Sequence, residues 1–382
     1  MPPLCAKSKR QIVPASPQAL ATRSAALAAR GLRDLSRDSN WLIKKIFSDH
    51  TSHLAISPTG QLCASSPLQR AGTERIALYD IELGEGNITL SVPGEPPVSA
   101  PGMLAAFAWS STGRYLVAAW PGRGERLHAF DLYSKSPVGR FGGFSEFPRS
   151  LAWSDPGRYF ACGSGDGAEA RLRLWEKAPD SQSAVAFLDP PLSEAGGTRS
   201  FEKCFGAEWA ERESGDEGAF TRFGRIAFSP DESALATVLE MEGEWADDSI
   251  AVLDVPTLRR LRVFPAQGHI TGLAWTFDSR SLLYCSGGQA YRLTSESLVS
   301  ESLPFGGELV TCHPHLRLCL CFSSWLKNSA KGRLFVANLN TLSTEDEYPA
   351  EGLVDLRWSY DGLKAYAVTA DGLAYIYELP PL

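Results

Sequence analysis

The residues able to do chemistry are scattered along this chain. Six histidines, His50, His53, His128, His269, His313 and His315, fall in separate regions, and only the first two and last two lie close in sequence. Eight cysteines are present without the paired spacing of a metal site. Cys319 and Cys321 stand two apart in a strand-like run and so share one face. A zinc site there would need His313 and His315; packed, reduced thiols are the competing account. The nucleophile elbow, the Walker loop, the dinucleotide fingerprint and the helical zinc-protease motif find no match. Gly163–Gly167 (GSGDG) has the composition of a phosphate loop. It joins two strand-like runs instead of opening a helix, so it lacks a helix-terminus field, and Asp166 is expected to bond its own turn. No catalytic residue, metal or cofactor is expected. The residue types fit recognition better. Trp120, Trp245 and Trp325 each follow a strand-like run, beside Arg123, Glu244 and Lys327 respectively. Trp and Arg dominate interface hot spots; a ring laid over a neighbouring part of the fold is the alternative for each.

The elements that position these residues are short strands. Ser150–Glu176 reads strand, turn, strand, turn, strand, with Asp155-Pro156-Gly157 and Gly163–Gly167 as the turns. The template recurs seven times. Its first strands close at Ser57, Ser110, Ser154, Ser229, Thr276, His313 and Ser359; its third strands close at Asp80, Asp131, Glu176, Asp254, Thr294, Asn338 and Glu378. A three-stranded hairpin is too small to stand alone. A period of about 40 to 45 residues with four strands per unit is what a propeller blade needs.

The units resemble WD40 repeats. Gly157–Gly167 through Trp175-Glu176 is close to that family's pattern, with Glu in place of Asp, and Gly268-His269 matches its Gly-His pair. Only Asp166 and Asp371 stand where the family has its turn aspartate. The resemblance covers about Trp41 to Leu382 and implies an all-β, seven-bladed β-propeller. It further implies that second-to-third-strand turns and first-strand entries share one face, which commonly binds partners. Phe147, Arg149, Arg225 and His53 are the alternative, channel-facing candidates on that face.

The last unit has three strands and no fourth, whereas Trp41–Phe47 is a strand-like run with no unit of its own. The economical reading makes Trp41–Phe47 the outer strand of the last blade, which removes an exposed edge. A stray strand is the alternative. The spacing between Ser154 and Ser229 is anomalously long. Ala184–Leu188 is expected to be the third blade's outer strand, leaving an acidic insertion at about 189–223 with a short helix over Phe201–Arg212.

Residues 1–40 form a separate basic arm, Met1–Pro14 too polar to order and 17–36 helical, with Leu20, Leu27, Leu32 and Leu35 on one side. Three readings of the arm compete: docking on the ring, binding a partner as an amphipathic helix, or a mitochondrial transit segment. Net charge is −7, divided into +7 through Lys45 and −14 beyond it. The acidic ring argues against general phosphate-backbone binding. No run is long and apolar enough to span a bilayer. The expected function is a non-catalytic scaffold holding protein partners in a multisubunit assembly, in the cytoplasm, without a direct small-molecule substrate or membrane contact. Two alternatives stand beside it: a ligand-binding or enzyme-associated propeller of the TolB or peptidase-gating type, and an accessory subunit of a nucleic-acid machine, touching nucleic acid only weakly or indirectly through the arm.

Overall fold

The computed structural model describes residues 41–46, 51–67, 75–83, 85–91, 106–120, 126–141, 148–164, 171–176, 200–203, 220–241, 247–255, 257–294, 300–324 and 332–379. They form seven four-stranded antiparallel sheets. Blade 1 is β2 (Thr51–Ile56), β3 (Leu62–Pro67), β4 (Arg75–Asp80) and β5 (Glu85–Ser91). Blade 2 is β6 (Ala106–Trp109), β7 (Tyr115–Trp120), β8 (Arg126–Asp131) and β9 (Ser136–Phe141). Blade 3 is β10 (Pro148–Trp153), β11 (Tyr159–Ser164), β12 (Arg171–Glu176) and β13 (Ser200–Lys203). Blade 4 is β14 (Phe220–Phe228), β15 (Ala234–Met241), β16 (Ser249–Asp254) and β17 (Arg260–Pro265). Blade 5 is β18 (Ile270–Trp275), β19 (Ser281–Ser286), β20 (Gln289–Thr294) and β21 (Glu301–Gly306). Blade 6 is β22 (Leu309–Cys312), β23 (Leu318–Ser323), β24 (Arg333–Asn338) and β25 (Ser343–Pro349). Blade 7 is β26 (Leu353–Trp358), β27 (Lys364–Thr369) and β28 (Leu373–Glu378), completed by β1 (Trp41–Lys45).

The third strands end on the residues the repeat pattern marks, Asp80, Asp131, Glu176, Asp254, Thr294, Asn338 and Glu378. Closure also follows expectation: β1 runs antiparallel to β28, Trp41 opposite Tyr377 and Lys45 opposite Leu373. The Ile46 amide donates to the Gly372 carbonyl at 2.8 Å. Lys45 reaches Asp371, in the hairpin before β28, at 3.6 Å, and the Lys44 ammonium donates to the Glu82 carbonyl of blade 1.

Side-chain alternation converts seven sheets into one ring. In β7, Leu116 and Ala118 face blade 1 while Val117 and Ala119 face blade 3. Each sheet is therefore apolar on both faces, and a hydrophobic cluster fills every gap between neighbouring blades. The gap between blades 7 and 1 is no exception: Ile56, Cys63 and Ile81 meet Tyr366, Val368 and Ile376. Burial between two sheets is what no single blade can supply for itself.

A polar lock recurs at the turn from first to second strand. The hydroxyl of Ser57, Ser110, Ser154, Ser229, Thr276 or Ser359 accepts the amide five residues on, at 2.9 to 3.1 Å. The fourth turn residue bonds back to the same Ser or Thr carbonyl and holds a left-handed backbone. Glycine fills that position at Gly60, Gly113, Gly157 and Gly362; Glu232 and Ser279 fill it in blades 4 and 5. Blade 6 solves the problem differently. His313 Nδ1 accepts the amides of His315 and Leu316, both at 2.9 Å, so Nε2 carries the proton and donates to the Gly362 carbonyl of blade 7.

Two expectations are corrected. The outer strand of blade 3 is β13, with Phe201 opposite Leu174, and not Ala184–Leu188, which lies outside the described residues. β13 and the start of β14 at Phe220 fall within the 189–223 segment, whose other residues lie outside the described set. The helix expected over Phe201–Arg212 does not start there, since Phe201–Lys203 is strand; residues 204–212 lie outside the described set. The arm, 1–40, lies outside it as well.

Candidate functional site

First strands line the ring's centre. Around them runs a cavity of about 990 Å³, walled by residues of β2, β6, β10, β14, β18 and β26. Ala55, Ala108, Ala152 and Ala227 occupy one equivalent position of its wall in four blades. Arg357 holds that position in blade 7. Arg149, Arg225, Arg357, Asp155, Glu240 and Asp355 are the charged residues in the wall.

Backbone irregularity places two of the arginines. Register shifts between Pro148 and Ser150 in β10, and between Phe223 and Ile226 in β14, where the strands enter. Arg149 and Arg225 sit on these bulges. A bulge leaves one residue out of the ladder and re-aims its side chain. Gly224 beside Arg225 gives way to a neighbour: a Cβ there would lie 2.5 Å from Glu240 Oε1. Arg225 is reached by channel water yet ringed by protein. Burial is the largest influence on it and pulls its pKa down, against the raising fields of Asp355, Cys285 and Glu240.

Asp355 enters from blade 7, on the far side of the ring from blade 4. Its Oδ2 accepts the Ile56 amide at 2.8 Å and its Oδ1 accepts the Leu356 amide at 3.0 Å. Burial pushes its carboxyl up, opposed by the Ile56 amide, Arg357, Arg225 and the Leu356 amide. Oδ2 thus holds blade 7 to blade 1, while Oδ1 is bonded to the next residue of its own strand. Among the described residues, the guanidiniums of Arg149, Arg225 and Arg357 make no hydrogen bond or ion pair.

At the opposite end of the channel, turn residues are spent on one another. Glu232 accepts the Arg158 amide at 3.2 Å, and Ser279 the Asp231 amide at 3.1 Å. Arg317 pairs with Asp278 at 2.8 Å, and the Tyr360 amide donates to the Pro58 carbonyl at 2.9 Å. This end is a belt of blade-to-blade contacts. At the entry end, His269 Nδ1 lies 2.9 Å from Asp248 Oδ2, which also accepts the Ile270 amide at 2.8 Å. The Gly268-His269 pair therefore fastens the entry of blade 5.

The sequence-derived candidates separate as follows. Arg149 and Arg225 both line the channel. His53 lies in β2. Trp120 is the last residue of β7, opposite Arg126, and so belongs to the strand and not to the turn after it. Trp245, Trp325, Arg123, Lys327, Phe147, Leu20, Leu27, Leu32 and Leu35 lie outside the described residues. Asp355, Arg357 and Glu240 were missed. Arg357 had a readable signal, a charge where other blades carry alanine.

The thiols are packed groups. Cys63, Cys162, Cys285, Cys319 and Cys321 are buried, and burial raises the pKa of the first three. A neutral thiol is a poor nucleophile and a poor metal ligand. Cys319 and Cys321 share a face, as the spacing implies, with their sulfurs 3.6 Å apart. His313 cannot join them, because both of its nitrogens are engaged in the turn lock and its interblade bond. Among the described residues no group of His, Cys, Asp and Glu has the geometry to hold a metal ion.

Residues 135–176 match the family model described as WD domain, G-beta repeat. That span covers β9 of blade 2 and the first three strands of blade 3. No curated protein matches the chain. No helix among the described residues is long and apolar enough to cross a membrane. A repeat matching that family thus lies within a ring of seven four-stranded blades, and the chain folds as a seven-bladed β-propeller.

Proposed function

We propose that this propeller is a non-catalytic platform that holds protein partners within a larger assembly, through the face where first strands enter the ring. WD40 propellers commonly serve as protein-interaction scaffolds and are usually non-catalytic. The observation that carries the choice of face is the placement of two channel-lining arginines at the entry end. At one end the turn polar groups are consumed by blade-to-blade bonds. At the other end lie the bulged Arg149 and Arg225. A ring with an apolar cluster in every gap does not hinge, so it offers its loops at fixed spacing. Trp120, Arg123, Trp245, Trp325 and Lys327 are the proposed anchors on that face, and the basic 1–40 segment with Leu20, Leu27, Leu32 and Leu35 is a second contact. The buried thiols fit a reducing compartment, the cytoplasm.

The test is affinity purification of the intact chain, of a form lacking residues 1–40, and of a Trp245→Ala, Trp325→Ala variant. A stoichiometric protein partner retained by the truncated form and lost by the tryptophan variant supports the entry face. Loss only on truncation moves the contact to the arm. Capture of no partner by any form contradicts the platform reading.

A further inference from the structure

We propose that the central channel is a binding site for a small, multiply charged oxyanion of the phosphate class, held by Arg149, Arg225 and Arg357. This goes beyond the platform reading and does not rest on it. Three guanidiniums from blades 3, 4 and 7 line one cavity. Among the described residues none of them has a hydrogen-bond or ion-pair partner. Guanidinium forks match phosphate oxygens two at a time, and such charge-assisted bonds gain strength where water is scarce. A cavity of about 990 Å³ lies at the upper end of what small-ligand sites occupy.

Structural duties do not account for these arginines. Arg149 and Arg225 are exposed within the channel and Arg357 is half-buried, so an entering anion can reach all three. The field of Asp355 reaches Arg225 and Arg357, while its oxygens also accept the amides of Ile56 and Leu356. Glu240 also raises the Arg225 pKa through its field. Asp155 follows the far end of β10, at the opposite mouth from Arg149. Arg225, exposed in the channel but with its pKa pulled down by its surroundings, is the group an entering anion would relieve most. Arg149 and Arg225 sit on the strand-entry bulge, a position where the bulges of β2, β18 and β26 carry Ser52, Thr271 and Val354. Arg357 occupies a position where four other blades line the wall with alanine. The three features together describe a channel built to place positive charge inward. An overall charge of −7 makes the placement more pointed, because the molecule as a whole repels anions.

The experiment is isothermal titration calorimetry of the full chain with inorganic pyrophosphate at low ionic strength. It is repeated for Arg149→Ala, Arg225→Ala, Arg357→Ala and, outside the channel, Arg114→Ala, which pairs with Asp131 on the outside of blade 2. One saturable site is expected, at least tenfold weaker in each channel variant and unchanged in Arg114→Ala. Citrate in place of pyrophosphate separates a phosphate preference from general polyanion binding; at least tenfold weaker binding of citrate is expected. If an alanine variant fails to fold, Arg225→Lys keeps the charge but loses the fork, and a loss of threefold or more is expected of it. Absence of saturable heat with the wild-type chain overturns the proposal. So does equal affinity in the channel variants, or in Arg225→Lys where that variant is the one used, and so does equal affinity for citrate.

Discussion

Replacing Trp41 by alanine should weaken the whole ring, although Trp41 lies in the first described strand and at a sheet edge. The indole is 9 % exposed and packs in the cluster between blades 6 and 7. Its ring centre is 4.9 Å from that of Tyr377 and 6.2 Å from that of Tyr348. A tryptophan buries roughly 200 Å² of surface, worth about 5 kcal/mol at 25 cal/mol per Å². Partial relaxation of an edge strand brings the expected loss to about 3–5 kcal/mol, the usual range for Trp→Ala in a core. An unfolding entropy of about 2.1 cal/mol/K per residue, over roughly 340 residues, makes this a fall in Tm of about 4–7 °C. The internal control is Leu42→Ala, next along β1 but 50 % exposed, for which a loss under about 1 kcal/mol is expected. Calorimetry and urea unfolding of the two variants beside the parent provide the comparison. If Trp41→Ala and Leu42→Ala are indistinguishable, β1 does not pack where the account places it, and the reasoning from closure to rigidity fails.

Gly60 and Gly113 hold the same left-handed turn position, with φ of 72° and 69°, but differ in surroundings. A Cβ on Gly113 meets nothing nearer than Thr59 at 3.6 Å, so Gly113→Ala should cost only about 1–2 kcal/mol of backbone strain. One on Gly60 would stand 1.9 Å from the buried Tyr366 ring, so Gly60→Ala should cost roughly 1–3 kcal/mol more, read by urea midpoint. His313 should make stability depend on pH. Burial, only partly offset by the Gly362 bond, lowers its folded pKa to about 3, against about 6.5 unfolded. Its contribution is complete above pH 6.5 and is lost as pH falls, at about 1.4 kcal/mol per pH unit, because only the unfolded chain takes up the proton. Carboxylates held low, such as Asp131 beside Arg114 and Glu82 beside Lys364, act at lower pH, from about 4 downward. Unfolding free energies between pH 6.5 and 5 should therefore fall by roughly 2 kcal/mol in the parent and stay flatter in His313→Ser; equal slopes would refute the assignment.

Phase and closure were legible in the sequence because each rests on local signals repeated many times. Strand ends at Asp80, Asp131 and Glu378 fall on the recurring closure pattern, and Trp41 needed a sheet where blade 7 lacked a strand. The turn serines were visible as a repeat, but their purpose was not. A hydroxyl that accepts an amide five residues on is a matter of backbone geometry, and His313 performs the same task with a different atom. The outer strand of blade 3 was misplaced because Ala184–Leu188 is the more apolar run. Outer strands face water on one edge, so polar Ser200–Lys203 serves as well, and apolar content does not select between them. Bulges were illegible for a related reason: an extra residue in a strand entry leaves no mark on alternation when only two or three residues precede it. Arg149 and Arg225 could be placed on the channel face, while the field that Asp355 exerts on Arg225 across the ring required coordinates. The site thus emerged from the sequence as single residues, and its electrostatics only from the closed ring.

The ring itself is tested most directly by hydrogen exchange at residues 41–46 in the full-length chain. The account predicts that the Ile46 amide, bonded to Gly372, and the inward amides of β1 exchange as slowly as those of β28 and open together with them. Exchange of the 41–46 segment at the rate of an unstructured peptide, while β28 stays protected, would contradict it.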